Sequence, residues 1–303
     1  DQRLSRGLGD VYKRQVSDKS ALEQIFTETA GLIAVHAEDE DRKAERKKLI
    51  EGRTDVAAHA YYRDDITALL ATKLSVELAH KTGHRLHILH LTSAIEADYL
   101  TDHCKLPSVA DGHPIITTEV LPQHLTFDET DVDEQGVRLQ MNPPIRYAKD
   151  RETLWQRLLD GTIQCIATDH APHTLEAKSK GFPEAPSGMP GVETSLPVML
   201  NYVNQGRCSL EDVVRWMSTN VADCYQMIGK GKLTVGYDGD VVLVDMNYTA
   251  VVEDENCWAR VRWNPFRGRE LTGWPVLTVV EGVPVFERSE GCLLYTSPSP
   301  RDN

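Results

Sequence analysis

Four short runs of apolar, β-branched residues each end in or beside an ionisable side chain. They cover residues 32–36 (to His36), 86–91 (with His90), 115–120 (with Glu119) and 162–168, which leads into Asp169. Runs of this length and composition predict buried strands. Between them lie stretches of helical period: residues 20–30, 62–81, a segment from about Ala94, and 152–159. Strand-helix alternation of this kind predicts a parallel sheet with covering helices. Polar groups at the carboxyl mouths of successive strands suit a (β/α)8 barrel better than an open sheet. The expected fold class is therefore α/β. Four visible strands correspond to the C-terminal half of such a barrel.

The character changes after about Leu233. Gly236-Tyr-Asp-Gly-Asp240 reads as a turn feeding a strand, and residues 274–286 read as a β-hairpin with Glu281-Gly282 at its tip. The expected domain limits are 16–232 for the partial barrel and 233–291 for part of a small β-sandwich.

Both termini look foreign to the rest. Ser5 to Gln15 can be back-translated into DNA whose reverse complement, one base out of frame, encodes Cys-Leu-Leu-Tyr-Thr-Ser-Pro-Ser-Pro-Arg, the sequence of residues 292–301. Residues 1–15 and 292–303 thus resemble a transposon-type sequencing adapter read on opposite strands, and are set aside. The insert is expected to be an internal fragment. Lys13 and Cys292 carry no functional weight.

The formal charge is −13, and −15 without those ends. An acidic chain is a poor candidate for nucleic-acid binding. No apolar run reaches about 18 residues, so no membrane span is expected. Cys104, Cys165, Cys208, Cys224 and Cys257 are scattered and lack CxxC spacing. They fit reduced thiols in a cytoplasmic protein.

His36, His90 and Asp169 are the candidate metal ligands. Two imidazoles and a carboxylate suit Zn²⁺ and similar ions. His173, four residues beyond Asp169, is expected to face the same cavity. His87 is placed three residues before His90, an odd offset that predicts packing on the opposite, outer face. His170 is open between supporting a ligand and simple packing. His80, His84, His103 and His113 read as surface histidines, and Arg42 to Lys48 as a solvated helix. Met141-Asn-Pro-Pro-Ile-Arg146 is a rigid, non-helical loop. Pro186-Ser-Gly-Met-Pro-Gly191 either presents backbone groups at close range or is a plain turn.

The ordered set of motifs resembles the dihydroorotases, cyclic-amide hydrolases of the amidohydrolase superfamily. It comprises His36-Ala-Glu-Asp39, Leu86-His-Ile-Leu-His-Leu-Thr-Ser93, Glu119-Val-Leu-Pro-Gln-His124, Asn142-Pro-Pro-Ile-Arg146, Ala167-Thr-Asp-His-Ala-Pro-His173 and Gly188-Met-Pro-Gly-Val-Glu-Thr194. Ser218-Thr-Asn220, Lys232-Leu-Thr-Val-Gly-Tyr-Asp238 and Leu271-Thr-Gly-Trp-Pro-Val276 follow in order.

The resemblance implies zinc-dependent, reversible hydrolysis of dihydroorotate to N-carbamoyl-aspartate in pyrimidine (UMP) biosynthesis. It implies a binuclear zinc site in which His36 and His90 hold one ion and Asp169 holds the other. Asp169 is also implied as the catalytic proton shuttle. Asn142, His173, Pro186 and Gly188 are implied as substrate-binding residues. A homo-oligomer or an assembly with aspartate carbamoyltransferase is the implied partner state.

The family's His-x-His pair, its bridging lysine or aspartate and a substrate-binding arginine belong upstream of residue 16, and Lys19 is not their substitute. Half of the metal site is thus expected here, and the chain alone is expected to be inactive. Hydantoinase or allantoinase chemistry and a non-catalytic scaffold are the alternatives.

Overall fold

The computed structural model describes residues 18–104, 115–288 and 292–293. His113 lies outside them. By their contacts the residues form two compact units, one ending at Gly191 and the other beginning at Val192.

The first unit is a four-stranded sheet with its strands in sequence order: β1 (Ile33–Val35), β2 (Leu86–Ile88), β3 (Ile116–Val120) and β4 (Cys165–Ile166). Every pairing is parallel, with Ile33 opposite Leu86, Leu86 opposite Ile116 and Glu119 opposite Cys165. This is the expected α/β alternation. Parallel order sends all four carboxyl ends to one side, which places His36, His90, Glu119 and Asp169 at a common edge.

The helices of this unit are α1 (Lys19–Glu28), α2 (Glu40–Lys47), α3 (Ala57–Tyr62), α4 (Asp65–Thr82), α5 (Ala94–His103), α6 (Pro122–Thr126), α7 (Glu129–Gln135), α8 (Ala148–Leu159) and α9 (Leu175–Lys178). The helix expected over residues 62–81 is α4, which starts three residues later. Asp64 accepts from the Thr67 amide and starts α4 as its N-cap, while Gly83, at φ 70°, ends it. The core is formed by Leu86, Ile88, Ala68, Val76, Ala79, Leu100, Leu154 and Trp155, all at 1% exposure or less. Each large apolar side chain so buried contributes about 1.5–3 kcal/mol. The Trp155 indole keeps a partner, donating to the Leu125 carbonyl at 2.8 Å.

The second unit contains α10 (Val192–Asn204), α11 (Leu210–Val214), a π-helical turn (Arg215–Thr219) and α12 (Asn220–Cys224). An antiparallel sheet follows: β5 (Val241–Val251), β6 (Glu270–Val280), β7 (Val283–Glu287) and β8 (Cys292–Leu293). The β6–β7 hairpin turns at Glu281 (φ 51°) and Gly282 (φ 79°), as the sequence predicted. Two consecutive positive φ angles match the twist of the flanking strands. α10 packs on β6, where a Cβ on Gly273 would lie 2.7 Å from Leu200 Cβ. No helix among the described residues is long and apolar enough to cross a membrane.

Candidate metal and substrate site

His36 follows β1 directly, and its ring is fixed from behind. Its Nε2 lies 2.7 Å from Glu38 Oε2. A carboxylate only accepts, so Nε2 carries the hydrogen and Nδ1 presents its lone pair. That Nδ1 lies 3.0 Å from His90 Nε2. Two nitrogens bound at 2.0–2.1 Å to one tetrahedral zinc stand about 3.3 Å apart, so the pair fits the bite of a single ion. Among the described residues no three His, Cys, Asp or Glu side chains converge to hold a metal. The donors present therefore fit the histidine half of a site.

Glu38 is buried and bound in turn by Arg63 Nη1. Burial pushes its carboxyl up, but Arg63 and His36 outweigh this and hold it well below the usual carboxylate range. His90 sits two residues past β2 at φ 35°, and Asp169 three residues past β4 at φ 43°. Neither is glycine, so each holds a costly left-handed backbone. These bends turn both side chains off their strands. Burial lowers the His90 pKa far below the ordinary value, with His36 and His124 acting in the same direction. Burial raises that of Asp169, His36 opposes the shift, and Glu119 adds to it.

The bend at His90 also corrects the reading of His87. Strand parity ends at Ile88, so the odd offset does not separate the two histidines by face. His87 is wholly buried, with Nε2 3.0 Å from Glu119 Oε2 and Nδ1 2.8 Å from Thr117 Oγ1. It lies on the face that carries Glu119, whose other oxygen accepts from the His90 amide at 3.3 Å.

The residues implied for substrate form a second cluster built of loops. The Gln140 carbonyl accepts from the Gly188 amide at 2.9 Å and from Lys178 Nζ at 2.8 Å. The Gln140 side chain donates to the Ala185 carbonyl at 2.7 Å and to Ser187 Oγ at 3.2 Å, on either side of Pro186. His173 Nε2 donates to the Ser187 carbonyl at 3.0 Å. Gly188 has φ 132°, and a Cβ there would meet the Ala171 carbonyl at 2.5 Å and His173 Cδ2 at 3.2 Å. The Ala171 carbonyl thus leaves no room for a side chain at Gly188. Asn142 Oδ1 lies 2.9 Å from His59 Nε2. His170 braces the chain, its Nδ1 accepting from the Gly191 amide at 3.1 Å. Of the other histidines read as surface, His80 is exposed, while His84 and His103 are only half-buried.

One short helix reaches both clusters. His59 and Arg63, one turn apart, bind Asn142 and Glu38 respectively. Arg146 closes the frame, donating to the Arg63 carbonyl at 2.7 Å and to Thr92 Oγ1 at 2.8 Å. Glu38, His59, Arg63 and Lys178 were not singled out from sequence. The i, i+4 spacing of His59 and Arg63 was the available signal.

A parallel α/β sheet with ionisable side chains gathered at its carboxyl edge belongs to the class of scaffolds that carry strand-mouth active sites. The chain is a member of the amidohydrolase family, to which residues 15–285 match. It is similar to the dihydroorotase of Halobacterium salinarum, 34% identical over 281 residues that cover 93% of this chain and 62% of the relative. The dihydroorotase of Methanosarcina mazei is 31% identical, covering 92% and 61%. Among solved structures, the L-hydantoinase (dihydropyrimidinase) from Arthrobacter aurescens superposes with a TM-score of 0.82 at 31% identity, covering 90% of this chain and 61% of that one. A dihydropyrimidinase from Brevibacillus agri gives 0.79 at 27% identity, covering 89% and 59%. The chain thus spans about three fifths of the length of the relatives it matches.

Proposed function

We propose that the whole protein is a cyclic-amide hydrolase of dihydroorotase type, interconverting dihydroorotate and N-carbamoyl-aspartate in pyrimidine formation. The observation that carries this reading is the His36–His90 pair, with facing nitrogens 3.0 Å apart, whose His36 acts electrostatically on the Asp169 carboxyl. The similarity to named dihydroorotases supports the substrate.

In this reading the four parallel strands are the second half of a (β/α)8 barrel. His36 and His90 hold one zinc ion, and Asp169 holds the other. Zinc, when bound, supplies a polarised amide carbonyl and a more acidic water. Asp169 takes the proton of the attacking water and returns it to the ring nitrogen that leaves. Asn142, His173 and the backbone at Pro186 and Gly188 orient the ring and its carboxylate. Upstream histidines and a bridging residue complete the metal set. The protein works in the cytoplasm, as a homo-oligomer or joined to aspartate carbamoyltransferase.

Hydantoinase chemistry is the second reading, favoured by the superposition on the Arthrobacter enzyme. Assay of the whole protein on dihydroorotate, carbamoyl-aspartate and hydantoin, with and without zinc, separates the two. Turnover of hydantoin alone would sink the first reading.

A further inference from the structure

We propose that His59 is a positioning residue that locks the Asn142 carboxamide with its oxygen turned inward and its NH₂ group left to the ligand. The ligand atom recognised at Asn142 is then a hydrogen-bond acceptor, a carbonyl or carboxylate oxygen. The proposal deepens the functional reading above and rests on its assignment of Asn142 to ligand binding.

The assignment follows from donor and acceptor counting. His59 Nε2 lies 3.0 Å from the Met141 carbonyl and 2.9 Å from the Asn142 side chain. A backbone carbonyl can only accept, so Nε2 carries the ring hydrogen. The Asn142 atom facing that N–H must then be its oxygen, because a flipped amide would set NH₂ against N–H. Among the described residues, buried His59 Nδ1 has no partner, so a second proton there would be unsatisfied. Burial, assisted by the Arg63 charge, pushes the His59 pKa down to about 4, which keeps one proton on the ring at neutral pH.

The ring is held in place. It is 4% exposed. It packs edge-on against Tyr62, with centroids 5.5 Å apart, and against Phe182 at 6.0 Å. On the other side, Pro143 and Pro144 restrict the chain after Asn142. The Asn142 oxygen is thereby committed, and among the described residues its Nδ2 makes no hydrogen bond. An amide whose oxygen already accepts is polarised toward donation at nitrogen. Ring N–H groups of a cyclic amide are excluded from this point, while its carbonyl and carboxylate oxygens are accepted.

The first test reads the His59 ring by long-range ¹H–¹⁵N correlation in the labelled chain at pH 7. The expected result is a neutral ring protonated at Nε2. A ring protonated at Nδ1, or at both nitrogens, overturns the proposal.

The second test measures binding of dihydroorotate to the whole protein by calorimetry. His59→Leu should weaken it about tenfold, the worth of one oriented hydrogen bond, and His59→Gln, which keeps an N–H in reach, should restore most of the loss. Asn142→Asp, which replaces the outward donor by an acceptor, should bind more weakly than Asn142→Ala. Equal affinities for the Asp and Ala variants, or an unchanged His59→Leu, overturn the proposal. If His59→Leu does not fold, the Asp and Ala comparison still decides. Absence of any dihydroorotate binding by the unmutated whole protein would instead sink the substrate reading, and the ring measurement would still decide the state of His59.

Discussion

The strand-mouth corner and the loop cluster are built on different physics. At the strand mouths, ionised groups hold the rings: Arg63 binds Glu38, and Glu38 binds His36. Charge-assisted bonds of this kind are short and strong, and buried ones fail badly when one member is lost. In the loop cluster the bonds run mostly through backbone carbonyls of Gln140, Met141, Ala185 and Ser187. Each neutral bond contributes only about 0.5–1.5 kcal/mol, and several share the task. The first region should therefore respond to single substitutions steeply and the second gradually.

The largest expected effect is at Asp169. Asp169→Asn in the whole protein should lower kcat about 10³-fold with the circular dichroism spectrum unchanged, because a lost proton shuttle costs 10²–10⁴. A variant retaining a tenth of the activity would remove Asp169 from the chemistry.

Glu38→Gln comes next. It leaves the Arg63 guanidinium buried without its carboxylate and frees the His36 ring to turn. Zinc affinity should fall about 10–100-fold. Unfolding in urea should show a loss of about 3 kcal/mol. Undiminished zinc binding would mean that Glu38 serves the fold alone, and the contrast between the two regions would lose its functional side.

What was legible in the sequence divides along the same line. The strands were visible because β-branched apolar runs report burial directly, and His36, His90 and Asp169 were visible because they close those runs. The runs overstated the strands: β2 ends at Ile88 and β4 at Ile166. The positive φ angles of His90 and Asp169 leave no periodic trace, and the misplacement of His87 followed from that. The loop over residues 186–191 was legible as rich in glycine and proline, and Gly188 packs too closely on Ala171 for a Cβ. His59 and Lys178 were not legible. Their partners lie 83 and 38 residues away, and no local pattern announces a buried lysine. The helices over residues 192–224 were also missed, although the motif Ser218-Thr-Asn220 falls among them.

His173→Ala is the first measure of the gradual side. The ring donates to the Ser187 carbonyl at 3.0 Å and lies against Gly188. Its loss should raise KM about tenfold and leave kcat within a factor of two or three, since one hydrogen bond is removed from a shared set. An unchanged KM would take His173 out of substrate binding.

The smallest effect tests the buried charge of Lys178 in the loop cluster. Burial lowers the Lys178 pKa from 10.5 to about 7. A depressed folded pKa contributes stability that is present above the unfolded value and is lost as pH falls through the folded one. Stability should therefore rise between about pH 7 and pH 10, until other groups titrate. Lys178→Met should flatten that rise. It should also leave the protein equally stable or about 1 kcal/mol more stable at pH 7, because an apolar replacement removes the cost of burying the ammonium. The Gln140 carbonyl keeps the Gly188 amide as a partner at 2.9 Å. Urea unfolding of both proteins at pH 7, 8.5 and 9.5 measures the slope. A wild-type profile as flat as the variant's would mean that Lys178 is not strained by burial. Its bond to the Gln140 carbonyl would then be a charge-assisted one.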